Sequence, residues 1–452
     1  MQRTASVSRF TPGSFTRALF TLVLFALAWV MTLLAGCVGD RPLMAPRTYY
    51  VSTNGSDINN GRSIHGPFRT LPRAISAANP GDTIEVRGGV YAGGLTINTP
   101  GTREGWITLK PYRNEKVTID ATGKSHGIYF YHPRFAPMYW TVEGLEIRGG
   151  EQYTVKIDTP NVKLIRNNLH GAKGDIVKLV STANQILIDG NEIHHNAAPV
   201  GANAQGIDIV GSSDVKVVNN YVHDIPSIGM YAKGNAAEIV FERNRVENIA
   251  QRGIMLGQST SREFLDRNKP YESYNSVIRH NTVRNTGSAC LATASSFNVR
   301  IHHNTCYDTA KTNHGAIFVS NESELMQPGA NLFIHDNTIV MGASTRPVVY
   351  IGPHALADER SGIKMERNRY WSATAPEAIH FAWERGERET AARFASVWSA
   401  SLKDWQRLTG MEAASAVAAP DARPADSAHK LAHKTASADA RAKVSAARLP
   451  QP

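Results

Sequence analysis

The sequence predicts an all-β fold, a parallel β-helix solenoid, and the first observation behind this prediction is a recurring asparagine. Between residues 161 and 371 a short segment built around an Asn, typified by IDGNEIH, appears eight times. Successive copies are separated by 23 residues or more, with additions of variable length. One unit repeated with loop insertions is the signature of a solenoid. The recurring residues are Asn168, Asn191, Asn220, Asn244, Asn281, Asn304, Asn337 and Asn368.

The second observation is that apolar residues alternate around each Asn. Ile186 and Ile188 precede Asn191, for example, and Ile193 follows it two places later. This period of two indicates strands with one buried face rather than helices. Coils of roughly three short strands would stack about 4.8 Å apart, so each Asn could hydrogen-bond to the copy above it. The alternative, eight independent turn asparagines, does not explain their common phase against the apolar pattern.

The N-terminus predicts export. Residues 1–36 contain three arginines and no acidic residue before a long apolar run, as in a secretory signal. The following Leu34-Ala35-Gly36-Cys37 resembles a bacterial lipobox, which implies cleavage before Cys37 and lipidation of its sulfur. A plain signal peptide and a transmembrane anchor are the alternatives. We expect a protein exported and lipid-anchored in the bacterial cell envelope, in the outer membrane if Val38 acts as in enteric-type sorting, with residues 37–48 as a tether.

Residues 49–372 are assigned to the β-helix. Near its start, Thr70 precedes an amphipathic helix that would cover the open end of the solenoid. The stretches YYVSTNGSD, GPFRTLPRAISAANPGDTIEVRGGVY and GWITLKPY resemble the opening segment of right-handed parallel β-helix proteins of the pectate-lyase-like superfamily, including polysaccharide lyase family 9. The resemblance extends through Trp371. It implies a right-handed β-helix, whereas the reaction stays open because members of this superfamily differ in activity.

Beyond the repeats, residues 373–410 are predicted to form a short helical cap, with residues 381–410 helical. Its apolar side would consist of Phe394, Trp398, Leu402 and Trp405. Residues 411–452 contain few large apolar side chains and are predicted to be a disordered tail. Cys290 and Cys306 fall at inward positions of adjacent strands. Buried thiols are the favoured interpretation and a disulfide is the alternative.

The strand that follows each Asn turn predicts the functional face. Its outward residues would form a column from coil to coil, consisting of Lys156, Lys178, Asp208, Tyr231, Met255, Leu291 and Phe318, with Cys290 inward. A second column would hold Asp158 and Lys233. The longest insertions, residues 197–204, 259–275 and 321–330, flank the same strand. A groove across stacked strands suits an extended polymer.

The leading hypothesis is a polysaccharide lyase that acts by β-elimination on an acidic, uronate-containing polysaccharide. This reaction needs a cation for the carboxylate, a base and an acid. Lys178 or Lys233 is the expected base if neighbouring cations lower its pKa, and Tyr231 or His223 the expected acid. The remaining assignments are Arg252 as a catalytic residue and, for substrate binding, Lys156, His223, Gln258 and Phe318.

A Ca²⁺ ion is the expected cofactor, held by Asp208 with Asp158 or Asp175, because carboxylate oxygens suit this hard ion. Lyases that resemble family 9 use a Lys base beside a Ca²⁺ site made of several Asp. This chain has no dense Asp cluster, and it departs from the family in that respect.

Three further functions remain open. An epimerase would use similar groups on the same polymer. A glycoside hydrolase would need two carboxyl groups, and Asp208 with Asp158 or Asp175 supplies a thin set. A non-catalytic module could bind glycan through Met255, Leu291 and Phe318. A net charge of +10, or +7 without the three signal arginines, favours acidic partners in each case. We expect a monomer that does not bind nucleic acid.

Overall fold

The chain winds repeatedly through three stacked sheets, here called sheets A, B and C. The computed structural model describes residues 45–266, 268–321, 326–356, 362–372, 374, 379–384 and 397–420. Within these residues, sheet A consists of β1 Thr48–Val51, β2 Thr83–Val86, β5 Ile107–Pro111, β8 Trp140–Glu143, β11 Val162–Ile165, β14 Ile186–Asp189, β17 Ser213–Val218, β20 Ala236–Glu242, β23 Ser273–Tyr274, β24 Val277–Arg279, β27 Ser296–His302, β30 Ala330–His335 and β33 Ile363–Glu366.

Sheets B and C are each formed by every third strand of the same winding. Sheet B consists of β3 Gly89–Ala92, β6 Val117–Ala121, β9 Glu146–Gly149, β12 Asn168–His170, β15 Glu192–His194, β18 Tyr221–Ile225, β21 Arg245–Ile249, β25 Thr282–Thr286, β28 Thr305–Tyr307, β31 Thr338–Met341, β34 Arg369–Ser372 and β37 Ala416–Val417. Sheet C consists of β4 Leu95–Ile97, β7 His126–Phe130, β10 Tyr153–Ile157, β13 Val177–Leu179, β16 Ile207–Val210, β19 Met230–Lys233, β22 Ile254–Leu256, β26 Leu291–Ala294, β29 Ile317–Ser320, β32 Val349–Ile351, β35 Phe381–Trp383 and β36 Val397–Ala400.

Neighbouring strands in each sheet are parallel, except for the antiparallel pair β35–β36. Inward side chains of all three sheets fill one continuous apolar core, in which Ile188, Val217 and Phe241 follow one another on successive rungs of sheet A. Because apolar residues occupy alternate positions, each strand buries one face in this core and presents the other outward. The predicted all-β solenoid is therefore confirmed.

An asparagine ladder connects the coils at the turn between sheets A and B. The side-chain oxygen of each Asn accepts the backbone N–H and the Nδ2 of the Asn one coil earlier, at 2.9–3.0 Å. The first rung corrects the sequence prediction, because it is Asn167 and not Asn168 that belongs to the ladder. Asn168 instead starts β12, where its Nδ2 donates to Glu192 on the next rung. The ladder is Asn167, Asn191, Asn220, Asn244, Asn281, Asn304, Asn337 and Asn368.

The predicted N-terminal helix is present as α1, Leu71–Ala77. Thr70 is its N-cap and accepts a hydrogen bond from the backbone N–H of Arg73 at 3.4 Å. The apolar side, Leu71, Ala74 and Ile75, is buried in the core of the β-helix. A polar cap followed by apolar residues at helical spacing therefore predicted this element correctly.

The C-terminal prediction was only partly right. Helix α2 covers Leu402–Thr409 and buries Trp405, but residues 381–383 and 397–400 are strands of sheet C rather than helix. Residues 411–420, predicted as tail, also pack on the solenoid: β37 pairs with β34. The fully buried Glu412 accepts hydrogen bonds from Asn368 and Tyr370 and so closes the asparagine ladder.

Two further predictions concern the pair of cysteines and the two ends of the chain. Cys290 and Cys306 form a disulfide, so the favoured interpretation as free thiols was wrong. The predicted signal peptide, Cys37 and the tail from residue 421, as well as Phe394, lie outside the described residues. No helix within the described ranges is long and apolar enough to cross a membrane.

Candidate active site

The outward column of sheet C is the candidate site. Strand register places Tyr129, Lys156, Lys178, Asp208, Tyr231, Met255, Ala292, Phe318 and Tyr350 on successive rungs. The predicted column is therefore confirmed except at one rung. Leu291 pairs with the inward Ile254 and lies in the core, so Ala292 takes the outward place and Cys290 precedes the strand.

A buried charged cluster, defined by Asp175, Lys178 and Asp208, lies at the centre of the column. The Lys178 ammonium forms a short ion pair with Asp208 Oδ2 and lies 3.5 Å from Asp175 Oδ2. Asp208 is 1% exposed, Asp175 4% and the Lys178 side chain 17%. The backbone N–H of Gln205, at the end of the 197–204 insertion, donates to Asp175 Oδ1 at 3.0 Å. Loop and sheet are thereby tied together at this cluster.

The cluster raises the pKa values of two of its members, Asp175 and Lys178. Burial first, and repulsion by Asp208 second, raise the pKa of Asp175 to about 8. Burial would lower the pKa of Lys178, but the two carboxylates outweigh it and raise the pKa above its usual range. The condition under which Lys178 was expected to be the base, a pKa lowered by neighbouring cations, is not met, because its nearest charged neighbours are anions. Near neutral pH Asp175 is protonated and Lys178 is an ammonium.

Tyr231 lies beneath this surface rather than on it. It is 1% exposed and belongs to a second apolar cluster on the outer side of sheet C, together with Ile228, Met255, Ala289, Ala292, Ala294 and Phe318. Burial, followed by the nearby Asp208 and Asp175 charges, raises the pKa of the phenol far above its usual value. Tyr231 therefore supports the neighbouring groups, and its burial argues against the predicted role as proton donor.

Lys233 is the accessible amine of the second column. Its Nζ lies 5.1 Å from the centre of the Tyr231 ring and donates to the Ser259 carbonyl oxygen at 3.4 Å. Among the described residues it forms no ion pair with a carboxylate. Lys233 thus differs from Lys178, whose ammonium lies against two carboxyl groups.

A buried glutamate that sequence reasoning missed holds the base of the 259–275 insertion. The Glu272 carboxylate accepts hydrogen bonds from the Gly234 N–H at 2.7 Å, the Thr260 N–H at 3.0 Å and the Thr260 hydroxyl at 2.6 Å. It is fully buried, and burial raises its pKa despite these donors. Glu272 therefore positions the loop beside Lys233. It lies inside an insertion, where no repeat pattern could have singled it out.

At the N-terminal side of the column, aromatic rings surround Lys156. Its Nζ lies 4.8 Å from the Tyr129 ring centre and 5.7 Å from that of Tyr153, and 3.1 Å from Asp158 Oδ2. The Tyr129 hydroxyl donates to the same Asp158 oxygen at 2.5 Å. Lys156 and Asp158 therefore form an ion pair, and Tyr129 contacts both residues. Tyr129 and Tyr153 were not predicted, because tyrosines on outward strand positions carry no sequence signal of their own.

At the other side, the column becomes aromatic. The Phe318 ring is stacked against His314, at a centroid distance of 4.1 Å, and against Tyr350, at 5.5 Å, and the latter two rings lie 6.3 Å apart. Arg252 lies over the Phe318 ring at 5.4 Å and contacts Met255 Sδ at 3.6 Å. Phe318 is only 4% exposed, so Tyr350 and His314 form the outer surface of this stack. Gln258, predicted to bind substrate, has a buried Oε1 without a hydrogen-bond partner among the described residues.

The structure does not bring His223 to this site. It lies in β18 of sheet B, where Nδ1 is 2.6 Å from Asp224 Oδ2 and Nε2 is 3.3 Å from Glu192 Oε1. Its assignment to the Lys178 face was therefore wrong. His223 in β18 and Tyr231 in β19 belong to different sheets.

The predicted Ca²⁺ ligands do not form one set. Asp175 and Asp208 converge on the Lys178 ammonium, and Asp158 is held by Lys156 and Tyr129 on a different rung. A cation placed between Asp175 and Asp208 would have to displace the Lys178 ammonium, which already lies against both carboxyl groups. These residues, as arranged, do not fit a Ca²⁺ ion.

Comparisons with known proteins agree with this architecture. Residues 49–217 match the family described as "Pel9A-like, right handed beta helix region". The chain is 41% identical over 138 residues to pectate lyase L of Dickeya chrysanthemi, covering 26% of this chain and 31% of that protein. It is 40% identical over 80 residues to the uncharacterized protein YwoF of Bacillus subtilis (strain 168), covering 18% and 17% respectively. The chain thus spans under a third of either relative's length.

A solved structure extends the likeness in fold. The GH136 lacto-N-biosidase from Eubacterium ramulus is similar with a TM-score of 0.54 and 13% identity, over 90% of this chain and 72% of that one. At this identity the likeness concerns the fold alone. The match over residues 49–217 and the three parallel sheets define a right-handed parallel β-helix.

Proposed function

We propose that the protein is a polysaccharide lyase that binds an acidic, uronate-containing polymer along the outer face of sheet C and cleaves it by β-elimination. The observation that carries the proposal is the row of cationic groups on this one face, Lys156, Lys178, Lys233 and Arg252. Rungs lie about 4.8 Å apart, and the row extends over five successive rungs, from β10 to β22, so it could contact several carboxylates of one polymer.

In this proposal Lys233 is the base. It borders the loop that Glu272 anchors, and no carboxylate of the described residues pairs with it. A neutral Lys233 amine would remove the proton on the carbon next to the substrate carboxylate. The electron pair then forms a carbon–carbon double bond as the bond to the leaving oxygen breaks, and the resulting ammonium can return its proton to that oxygen.

In this proposal Lys156 and Lys178 stabilise negative charge on the substrate and do not transfer protons. Lys178 is an ammonium because Asp208 and Asp175 raise its pKa, and it adds positive potential at the centre of the groove. A preorganised positive charge favours the transition state, in which negative charge builds up on the substrate carboxylate. Export, a lipid anchor on Cys37 and an outer-membrane location belong to the same proposal, since a polymer substrate lies outside the cell.

A second candidate is a glycoside hydrolase, favoured by one observation. Asp175 and Asp208 flank a single ammonium, so two carboxyl groups lie together, as glycoside hydrolysis requires. Their burial is the argument against it, because a glycosidic oxygen would have to reach carboxyl groups that are 4% and 1% exposed.

The test incubates the full chain with polygalacturonate, rhamnogalacturonan, alginate and a neutral glucan, each with and without a chelator. We expect ultraviolet absorbance of an unsaturated product from an acidic polymer only. Lys233→Ala should lower turnover by about 10²–10⁴-fold, the usual contribution of a positioned base. The matched control is Lys216→Ala, an exposed lysine on sheet A, which should leave turnover unchanged.

New reducing ends without that absorbance, abolished by Asp175→Asn, would establish hydrolysis instead. Polymer retention without turnover would indicate a binding module. Full activity of Lys233→Ala would overturn the assignment of the base. A loss of activity with chelator would show a metal requirement that the Asp158, Asp175 and Asp208 set does not explain.

A further inference from the structure

A cluster of histidines lies on sheet B, away from the Lys178 face. We call His194, His195, His223 and Asp224 the histidine corner. His195 Nε2 lies 3.7 Å from Asp224 Oδ2, and His223 Nδ1 lies 2.6 Å from the same oxygen. Ligand atoms of His195, His223 and Asp224 all lie within 4.8 Å of one another. We propose that these three residues bind a divalent transition-metal ion of the zinc class.

The β-helix itself brings the ligands together. His194 and His223 are Cα partners on adjacent rungs, and their rings stack at a centroid distance of 4.9 Å. The next residue on each rung, His195 or Asp224, has a left-handed backbone with φ of 52° or 54°. The chain therefore turns at the same place on both rungs, and the two side chains emerge side by side.

Contacts with neighbouring groups leave His195 Nε2 as the nitrogen that faces the Asp224 carboxylate. The Asn168 side-chain oxygen can only accept, so His194 Nε2 donates to it at 2.9 Å. His194 Nδ1 lies 2.6 Å from His195 Nδ1. Because this contact engages Nδ1 of His195, its Nε2, 3.7 Å from Asp224 Oδ2, is the nitrogen that would bind an ion.

Neighbouring groups hold the other two ligands as a metal site needs. His223 Nε2 lies 3.3 Å from Glu192 Oε1, so its Nδ1 can bind the ion while a carboxylate orients the ring. Asn248 Nδ2 donates to Asp224 Oδ1 at 3.0 Å, so Oδ2 is the oxygen that would bind the ion, which would displace the proton between Oδ2 and His223 Nδ1. Bonds of about 2.0–2.1 Å around a tetrahedral Zn²⁺ separate ligand atoms by about 3.4 Å, so the His223 ring would move by under about 1 Å.

The chain contains a natural comparison for this corner. His302, His303, His335 and Asp336 repeat the same arrangement at a corner of sheet A: His302 and His303 Nδ1 atoms lie 2.9 Å apart, and His335 Nδ1 lies 2.6 Å from Asp336 Oδ2. There, however, Arg367 donates to both Asp336 oxygens, at 3.0 and 2.9 Å. A guanidinium thus occupies the place of the ion, and we expect this second corner to bind Zn²⁺ far more weakly.

The test measures Zn²⁺ binding to the full chain, purified without a histidine tag, by equilibrium dialysis with zinc chloride. We expect one ion per chain with half-saturation near or below about 1 μM, which is weaker than four-ligand structural sites. His195→Ala and Asp224→Asn should each weaken binding by more than the roughly 10–100-fold that loss of an orienting neighbour costs, and Glu192→Gln by that amount. His303→Ala should leave binding unchanged.

His195 is 63% exposed, so its substitution leaves the fold intact, and circular dichroism of the metal-free variants checks this. Absence of stoichiometric Zn²⁺ binding would overturn the proposal. Equal loss in His195→Ala and His303→Ala, or loss only in His303→Ala, would also overturn it, because the ion would then sit elsewhere. The readout is independent of the proposed lyase activity.

Discussion

The asparagine ladder and the outer column of sheet C are built on the same coils, yet they differ in how far their residues vary. The ladder repeats one side chain at each of its eight positions, because each amide oxygen accepts a hydrogen bond from the backbone N–H of the previous coil. The column changes from cationic and acidic residues to Ala292, Phe318 and Tyr350. A side chain that recurs unchanged from rung to rung is required by the fold, whereas outward positions that differ between rungs can serve function.

The largest expected effect breaks the ladder at its middle. Asn244→Ala would remove the acceptor of the Asn220 backbone N–H and the side-chain donor to the Val217 carbonyl in a buried turn. The Asn220 side-chain amide would keep its hydrogen bonds to two backbone carbonyls. Since each buried unsatisfied group costs about 1–3 kcal/mol, we expect the free energy of unfolding to fall by about 3–5 kcal/mol in a denaturant titration. Asn168→Ala, outside the ladder, should cost less than about 1 kcal/mol. Equal losses would mean that the ladder is not what stabilises the turn.

The next effect concerns the charged half of the column. Lys178→Met would leave Asp208 buried without its cation, and we expect a loss of about 2–4 kcal/mol in the free energy of unfolding. The exposed Lys216→Met on sheet A should change it by less than about 0.5 kcal/mol. If both variants unfold alike, Lys178 contributes no more than a surface charge. Adding Asp208→Asn to Lys178→Met should recover part of the loss.

A smaller effect is expected in the pH dependence of stability. The folded-state pKa of Asp175, about 8, lies above its unfolded value of about 3.9, so the native state binds the extra proton. This contribution is fully present below pH 4 and is lost as the pH rises through about 8, with a slope of at most about 1.4 kcal/mol per pH unit. Asp175→Asn should flatten the profile between these values. An unchanged slope would place the titration on another group.

The smallest effect concerns the aromatic half. Tyr350→Ala removes the ring stacked on Phe318, and we expect a stability loss of about 1 kcal/mol together with weaker retention on an acidic-polysaccharide column. Phe333→Ala, a half-buried aromatic stacked on His335 of sheet A, is the control and should not affect retention. Unchanged retention of Tyr350→Ala would confine polymer binding to the charged half.

Much of this molecule followed from the sequence alone. Period-two apolar residues and the recurring Asn determined the solenoid architecture, the buried face and the register of six of the seven predicted column positions. These features are local, because a strand exposes alternate residues whatever lies beside it. The one-residue errors at Asn168 and Leu291 occurred where two adjacent residues fitted the same pattern.

Only the tertiary structure decided the charges and partners of the site. Lys178 is an ammonium because Asp175 and Asp208 reach it from different coils, and Glu272 reaches Gly234 from an insertion without a repeat pattern. His223 is close to Tyr231 in number but lies on another sheet. Electrostatic energies depend on distance and burial in space, and a linear sequence contains neither until the coils are stacked.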